Sequence, residues 1–251
     1  MEKEFELLIL TGENSPVGIR GPKGKIYKMP ILAYVIEESN KLVDSTAKLS
    51  WGEELKIQFE KKTIYSIKGV AKVDLENYSN PKSFTVIEVL GKGIENEQLN
   101  VVLEKYNTPV IKKDDELGEF VLDKRFNIFG GKVNWLGKSC DIYLKCVDDL
   151  NNYETCLNIF KTIYNDLESY NKKFLEFVCD KLLDRANEWN ESEEKEITRE
   201  EFINNLVITS CDISKNGSYS ISYSCGEMFL GHIITVRGNI ETGLKEALLE
   251  G

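Results

Sequence analysis

A chain of 251 residues, of which 41% are hydrophobic and 29% charged, can bury one large core or two small ones and is too apolar to stay disordered. Its formal charge of −10 is unevenly spread, with 15 Lys+Arg against 16 Asp+Glu in residues 1–110 and 17 against 26 in residues 111–251. The second half therefore repels a phosphate backbone and attracts a basic protein, which disfavours nucleic-acid binding there.

Glu2, Glu4 and Glu6 give the amino terminus the wrong sign for a signal peptide, and apolar runs such as 31–36 are far shorter than the ~20 residues that cross a bilayer. The expectation is a cytoplasmic protein with no membrane segment. Cys140, Cys146, Cys156, Cys179, Cys211 and Cys225 form no CxxC pair and read as small hydrophobes in a reducing compartment.

In chain order, residues 5–10, 28–36, 55–59, 63–73 and 82–89 are apolar runs of strand length punctuated by glycine, asparagine and proline. They predict a small antiparallel β barrel or sandwich over residues 1–110. Residues 15–28 hold Pro16, Pro22 and three glycines, which predicts a long loop. The stretch 101–115 runs into Lys112, Lys113, Asp114, Asp115 and Glu116 and reads as a linker. Strands at 119–122, 132–136 and 140–147 follow, with turns at 127–131 and 137–138.

Tyr153, Cys156, Leu157, Phe160, Ile163, Tyr164 and Leu167 recur at three- and four-residue steps, and Leu175, Val178, Cys179, Leu182, Ala186 and Trp189 repeat that pattern. Two antiparallel helices are expected, with a break near Asn171. Thr198 and Glu201 have capping-box spacing for a short third helix. Residues 206–213 and 219–224 form a hairpin around Lys215, Asn216 and Gly217; a strand at 228–236 and a terminal helix at 244–249 complete the chain. The fold class is α+β: a β-rich domain at 1–110, then at 115–251 an antiparallel sheet covered by two antiparallel helices.

His232 is the only histidine. It could serve as a general base or pair with Cys225, seven residues earlier. The plainer expectation is an imidazole held by hydrogen bonds in a strand with Phe229, Leu230, Ile233 and Ile234. One imidazole is too few for a histidine-based zinc site, so no metal and no cofactor are expected. No GxSxG occurs. The glycine-rich segment 18–25 lacks the GxxxxGK[ST] order of a phosphate cradle. It nevertheless carries the local basic cluster Arg20, Lys23, Lys25 and Lys28, and with Tyr27, Tyr34, Trp51 and Tyr65 nearby a β domain could bind nucleic acid or another ligand. Glu188, Glu191, Glu193, Glu194, Glu196, Glu200 and Glu201, with Lys195 and Arg199 the only basic residues among them, form the candidate binding strip for a basic partner.

Leu117-Gly118-Glu119-Phe120-Val121-Leu122-Asp123, Lys132-Val133-Asn134-Trp135-Leu136-Gly137, the paired helices ending near Trp189, and Met228-Phe229-Leu230-Gly231-His232-Ile233-Ile234 resemble an uncharacterised bacterial family, a domain of unknown function. The first half resembles a β-rich domain that accompanies it. The resemblance implies a domain boundary, a bacterial setting and a strand at the Gly-His-Ile pattern, and it implies no activity. The functional expectation is a non-catalytic protein-binding protein, an immunity or antitoxin-like protein whose acidic half docks on a basic toxin. The alternatives are an enzyme using His232 and Cys225, and ligand or nucleic-acid recognition by the first domain.

Overall fold

The computed structural model describes residues 1–21, 24–73, 80–147, 149–190 and 195–251. The chain forms two compact units, Met1–Pro109 and Val110–Gly251.

The first unit comprises β1 (Glu2–Thr11), β2 (Val17–Gly21), β3 (Gly24–Ile36), β4 (Lys41–Val43), β5 (Ala47–Gly52), β6 (Ile64–Lys72), β7 (Ser83–Lys92) and α1 (Glu97–Asn107). Strands β1, β6, β7, β5 and β3 pair in that order, and β3 returns to β1, which closes a five-stranded barrel. All these neighbours are antiparallel except β5 and β7. Alternation along the strands turns Leu7, Ile9, Met29, Ile31, Leu49, Ile67 and Phe84 into one core.

Three expectations for this unit fail for identifiable reasons. Val17–Gly21 and the start of Gly24–Ile36 pair as antiparallel strands where a loop was expected: Pro16 precedes β2 and removes no donor from it, and Pro22 and Lys23 lie outside the described residues. Residues 55–59 are irregular and not a strand, because Lys56 adopts a left-handed conformation (φ 42°) directly after a 3-10 turn. The stretch read as a linker holds most of α1 and also β8 (Ile111–Asp114) of the second unit. Helix α1 forms because Asn96 Oδ1 accepts the Leu99 N–H (3.0 Å), and Leu99 and Val102 pack against Leu10, Ala33, Val35 and Ile64.

After β8 the second unit continues with β9 (Gly118–Asp123), β10 (Ile128–Trp135), β11 (Lys138–Lys145), α2 (Tyr153–Tyr164), α3 (Leu167–Trp189), α4 (Arg199–Asn204), β12 (Val207–Ser214), β13 (Ser218–Ser224), β14 (Ile233–Asn239) and β15 (Gly243–Glu250). The eight strands pair in the order β15-β14-β13-β12-β11-β10-β9-β8, antiparallel except for β11 against β12. The helices lie in that parallel crossover and bury Cys156, Phe160, Phe174, Val178 and Ala186 against Cys140, Ile142, Cys211, Ile221, Tyr223 and Val236.

The helix break falls at residues 165–166, not at Asn171, which stays inside α3 because its side-chain carbonyl accepts the Trp135 indole N–H (2.9 Å). Gly130 and Gly131 belong to β10 and not to a turn; a Cβ on Gly131 would meet the Phe120 ring at 2.7 Å, so the glycine lets that ring lie across the strand. The expected terminal helix is the edge strand β15. Pairing with β14 sends Leu244, Ala247 and Leu249 toward the core, while Glu246 and Glu250 reach Arg237 on the other face.

Phe160 is fully buried and Asn158, half a turn away, is exposed. Phe160→Ala should lower stability by about 3–5 kcal/mol and Asn158→Ala by less than about 0.5 kcal/mol, read from guanidinium unfolding followed by circular dichroism.

Candidate functional site

His232 does not lie in a strand. Gly226–Phe229 is a 3-10 turn, Leu230 (φ 52°) and Gly231 (φ 85°) are left-handed, and β14 starts one residue after the histidine. The His232 backbone N–H donates to the Phe229 carbonyl (3.0 Å), and the ring Nδ1 lies 2.8 Å from the same oxygen. A carbonyl only accepts, so Nδ1 carries the proton of that bond. Trp189 meets the ring edge-on, with centroids 5.7 Å apart.

The Cys225 thiol donates to the His232 backbone carbonyl (3.0 Å). It thus engages the main chain and not the imidazole, whereas a nucleophile and base need a direct hydrogen bond between thiol and ring. Burial pushes the Cys225 thiol up from its ordinary value, which suppresses the thiolate. All six cysteines are free and buried. Among the described residues no group of three or more His, Cys, Asp or Glu is placed to hold a metal ion.

The acidic run divides by task. Glu201 is committed to the start of α4: its carboxylate accepts the Thr198 N–H (2.9 Å) and hydroxyl (2.8 Å) and pairs with Lys195, while Thr198 Oγ1 accepts the Glu201 N–H (3.2 Å). The reciprocal bonds satisfy two helix-end donors. These partners, Lys195 first, hold the Glu201 carboxyl down at about 2. Arg199 bonds Asp180 on α3. Glu188, Glu196 and Glu200 are exposed and make no ion pair among the described residues, as is Asp184, one helical turn before Glu188 on α3 and absent from the sequence-based strip. Helical spacing is the signal that adds Asp184, since Glu176, Asp180, Asp184 and Glu188 follow at i, i+4 steps. Glu196, Glu201 and Cys225 come together around a shallow cleft of about 470 Å³ that Glu227 and Met228 also line. Glu191, Glu193 and Glu194 lie outside the described residues, as does Lys23.

Strand alternation splits the basic cluster. Arg20 and Lys25 face each other across β2 and β3 on one side of the hairpin, and Lys28 points to the other. Of the four aromatic candidates, Tyr34, Trp51 and Tyr65 are buried in the barrel and only Tyr27 is half-exposed. They form no run of open platforms on which successive bases of a strand could stack, and leave at most one ring to meet a single base.

These features define a two-unit α+β protein, a closed β barrel followed by an eight-stranded sheet with helices laid on it. The family described as "Uncharacterized protein conserved in bacteria (DUF2262)" matches residues 114–249, and "Domain of unknown function (DUF7021)" matches residues 1–106. The first match spans more than half of the chain, and the protein belongs to that bacterial family. The search of curated proteins found no match. No helix among the described residues is long and apolar enough to cross a membrane.

Thr198→Ala should destabilise the protein by about 0.5–2 kcal/mol by removing the cap. Because the Glu201 carboxyl is depressed, its stabilisation is complete above about pH 4.5 and disappears as pH falls toward about 2. Melting curves of wild type and Glu201→Gln should therefore differ at neutral pH and converge near the acid end. The six buried thiols should resist a disulfide reagent at pH 8 in the folded protein and react fully in denaturant.

Proposed function

We propose that this protein is a non-catalytic, cytoplasmic protein-binding protein, immunity or antitoxin-like in role, whose carboxy-terminal unit docks on a basic toxin partner. The observation that carries the reading is the group of exposed carboxylates Asp184, Glu188, Glu196 and Glu200, which have no counter-ion among the described residues. Asp184 and Glu188 stand on helix α3, which Phe174, Val178, Leu182 and Ala186 fix to the sheet, and Glu200 stands on α4, which Phe202 anchors, so these three charges are held on a rigid scaffold. Uncompensated charge on such a surface speeds encounter with an opposite charge and sets partner choice more than it adds affinity. The free, buried cysteines suit a reducing compartment.

Co-purification of the full chain from its host should recover a basic protein in stoichiometric amount. The triple variant Asp184→Lys, Glu188→Lys, Glu200→Lys should slow association about 10-fold or more, and the wild-type rate should fall steeply with salt. A chain that runs without a partner at low salt, or a complex indifferent to both salt and the triple variant, overturns the proposal.

A further inference from the structure

The barrel carries a cleft of about 750 Å³ lined by Asn14, Ser15, Pro16, Tyr27, Trp51, Ile57, Gln58, Phe59, Glu60 and Lys61. It exists because the chain leaves β3 and rejoins it. Thr11 pairs with Ile31 and Val17 with Lys28, so the five residues 12–16 stand opposite only Met29 and Pro30 and bulge outward. The facing wall, residues 57–61, runs between Lys56 and Lys62, both left-handed. The two walls are joined at the base. Thr11 Oγ1 donates to the Glu60 carbonyl (2.6 Å), the Lys62 N–H donates to the Gly12 carbonyl (3.2 Å), and Lys62 pairs with Glu13 (2.7 Å). The cleft is thus preformed.

Its floor is aromatic. Tyr27 stacks on Trp51 with centroids 5.8 Å apart and planes at 19°, and Phe59 meets Trp51 edge-on. The Trp51 indole N–H, which is not itself buried although the residue is only 2% exposed, makes no hydrogen bond among the described residues, and neither do the side-chain amides of half-exposed Asn14 and exposed Gln58, so all three are free to meet a ligand. Beside this floor, Lys25 Nζ lies 4.9 Å from the centre of the Tyr27 ring, and Arg20 is directly cross-strand from Lys25 on the same face. Neither cation has an ion-pair partner among the described residues. Two like charges directly opposite each other in a ladder are unfavourable until an anion joins them.

We propose that this cleft binds a base-bearing phosphate, a free nucleotide or one nucleotide of a single strand, whose ring takes the face of Tyr27 over which Lys25 Nζ sits and whose phosphate draws Lys25 off that ring to the cleft rim beside Arg20. The planar ring uses the aromatic floor, its edge meets the open amide and indole groups, and the anion relieves the cationic pair. The cleft belongs to the amino-terminal unit, and neither proposal depends on the other.

Isothermal titration of the full chain at low salt, with adenosine and uridine monophosphate, a short single-stranded oligonucleotide and inorganic phosphate, tests it. Binding of the base-bearing ligands should be at least about 10-fold tighter than that of phosphate alone, and Tyr27→Ala and the surface pair Arg20→Glu, Lys25→Glu should each weaken it about 10-fold or more, while Lys132→Glu in the other unit leaves it unchanged. Equal affinity for mononucleotide and oligonucleotide assigns the site to free nucleotides, and a preference for the oligonucleotide assigns it to a strand. No binding at millimolar ligand, affinity no better than that of phosphate, or affinity untouched by the surface pair in a variant that melts like wild type overturns the proposal.

Discussion

Parallel strands cannot be joined by a tight turn, and the pairing of β11 with β12 therefore commits everything between them to a crossover. The carboxy-terminal unit is organised by that requirement. Helices α2, α3 and α4 form the crossover and cover one face of the sheet, so their apolar stripes and the alternate residues of β10 through β15 make one core. The inward stripe of α3 leaves its remaining face to charged residues, carboxylates interleaved with Lys172, Lys173, Lys181 and Arg185, and the same packing draws all six thiols inside. Core, buried cysteines and exposed charge are consequences of one pairing.

The amino-terminal unit answers a different constraint. A closed barrel has no edges to protect, but β3, 13 residues long, is longer than the stretch β1 can pair. The surplus is paired by β2, and the change of partner produces the bulge at residues 12–16. Pro30 sits opposite that bulge, where a missing ladder donor does least harm. The cleft is a by-product of fitting one long strand into a small barrel.

Lone catalytic-looking residues are poor guides without their neighbours. His232 and Cys225 are close, but the hydrogen bonds run through the main chain and secure the turn before β14. Glu201, the last member of the acidic strip, has its carboxylate occupied by a helix cap and by Lys195. The same strip contains carboxylates with no such task, and sequence alone does not separate the two kinds.

Where information is local, the residues announced their structure. The stripes of α2 and α3, the Thr198 and Glu201 capping box, the Lys215-Asn216-Gly217 hairpin and the α+β class follow from period, cap and turn chemistry within a few positions. Elements defined by a distant partner were not legible. Residues 243–250 have helix-forming composition and become a strand because β14 offers a ladder; Asn171 stays helical because Trp135 needs an acceptor; β2 exists because β3 has unpaired length. The aromatic cleft joins residues 14–16, 27, 51 and 57–61, which share no period and meet only through strand register. Net charge, core periodicity and capping were therefore decided by sequence, since each depends on side chains near in the chain. Tertiary structure alone decided which carboxylates remain uncompensated and which aromatic rings share a cleft, because both depend on pairings between residues far apart in sequence.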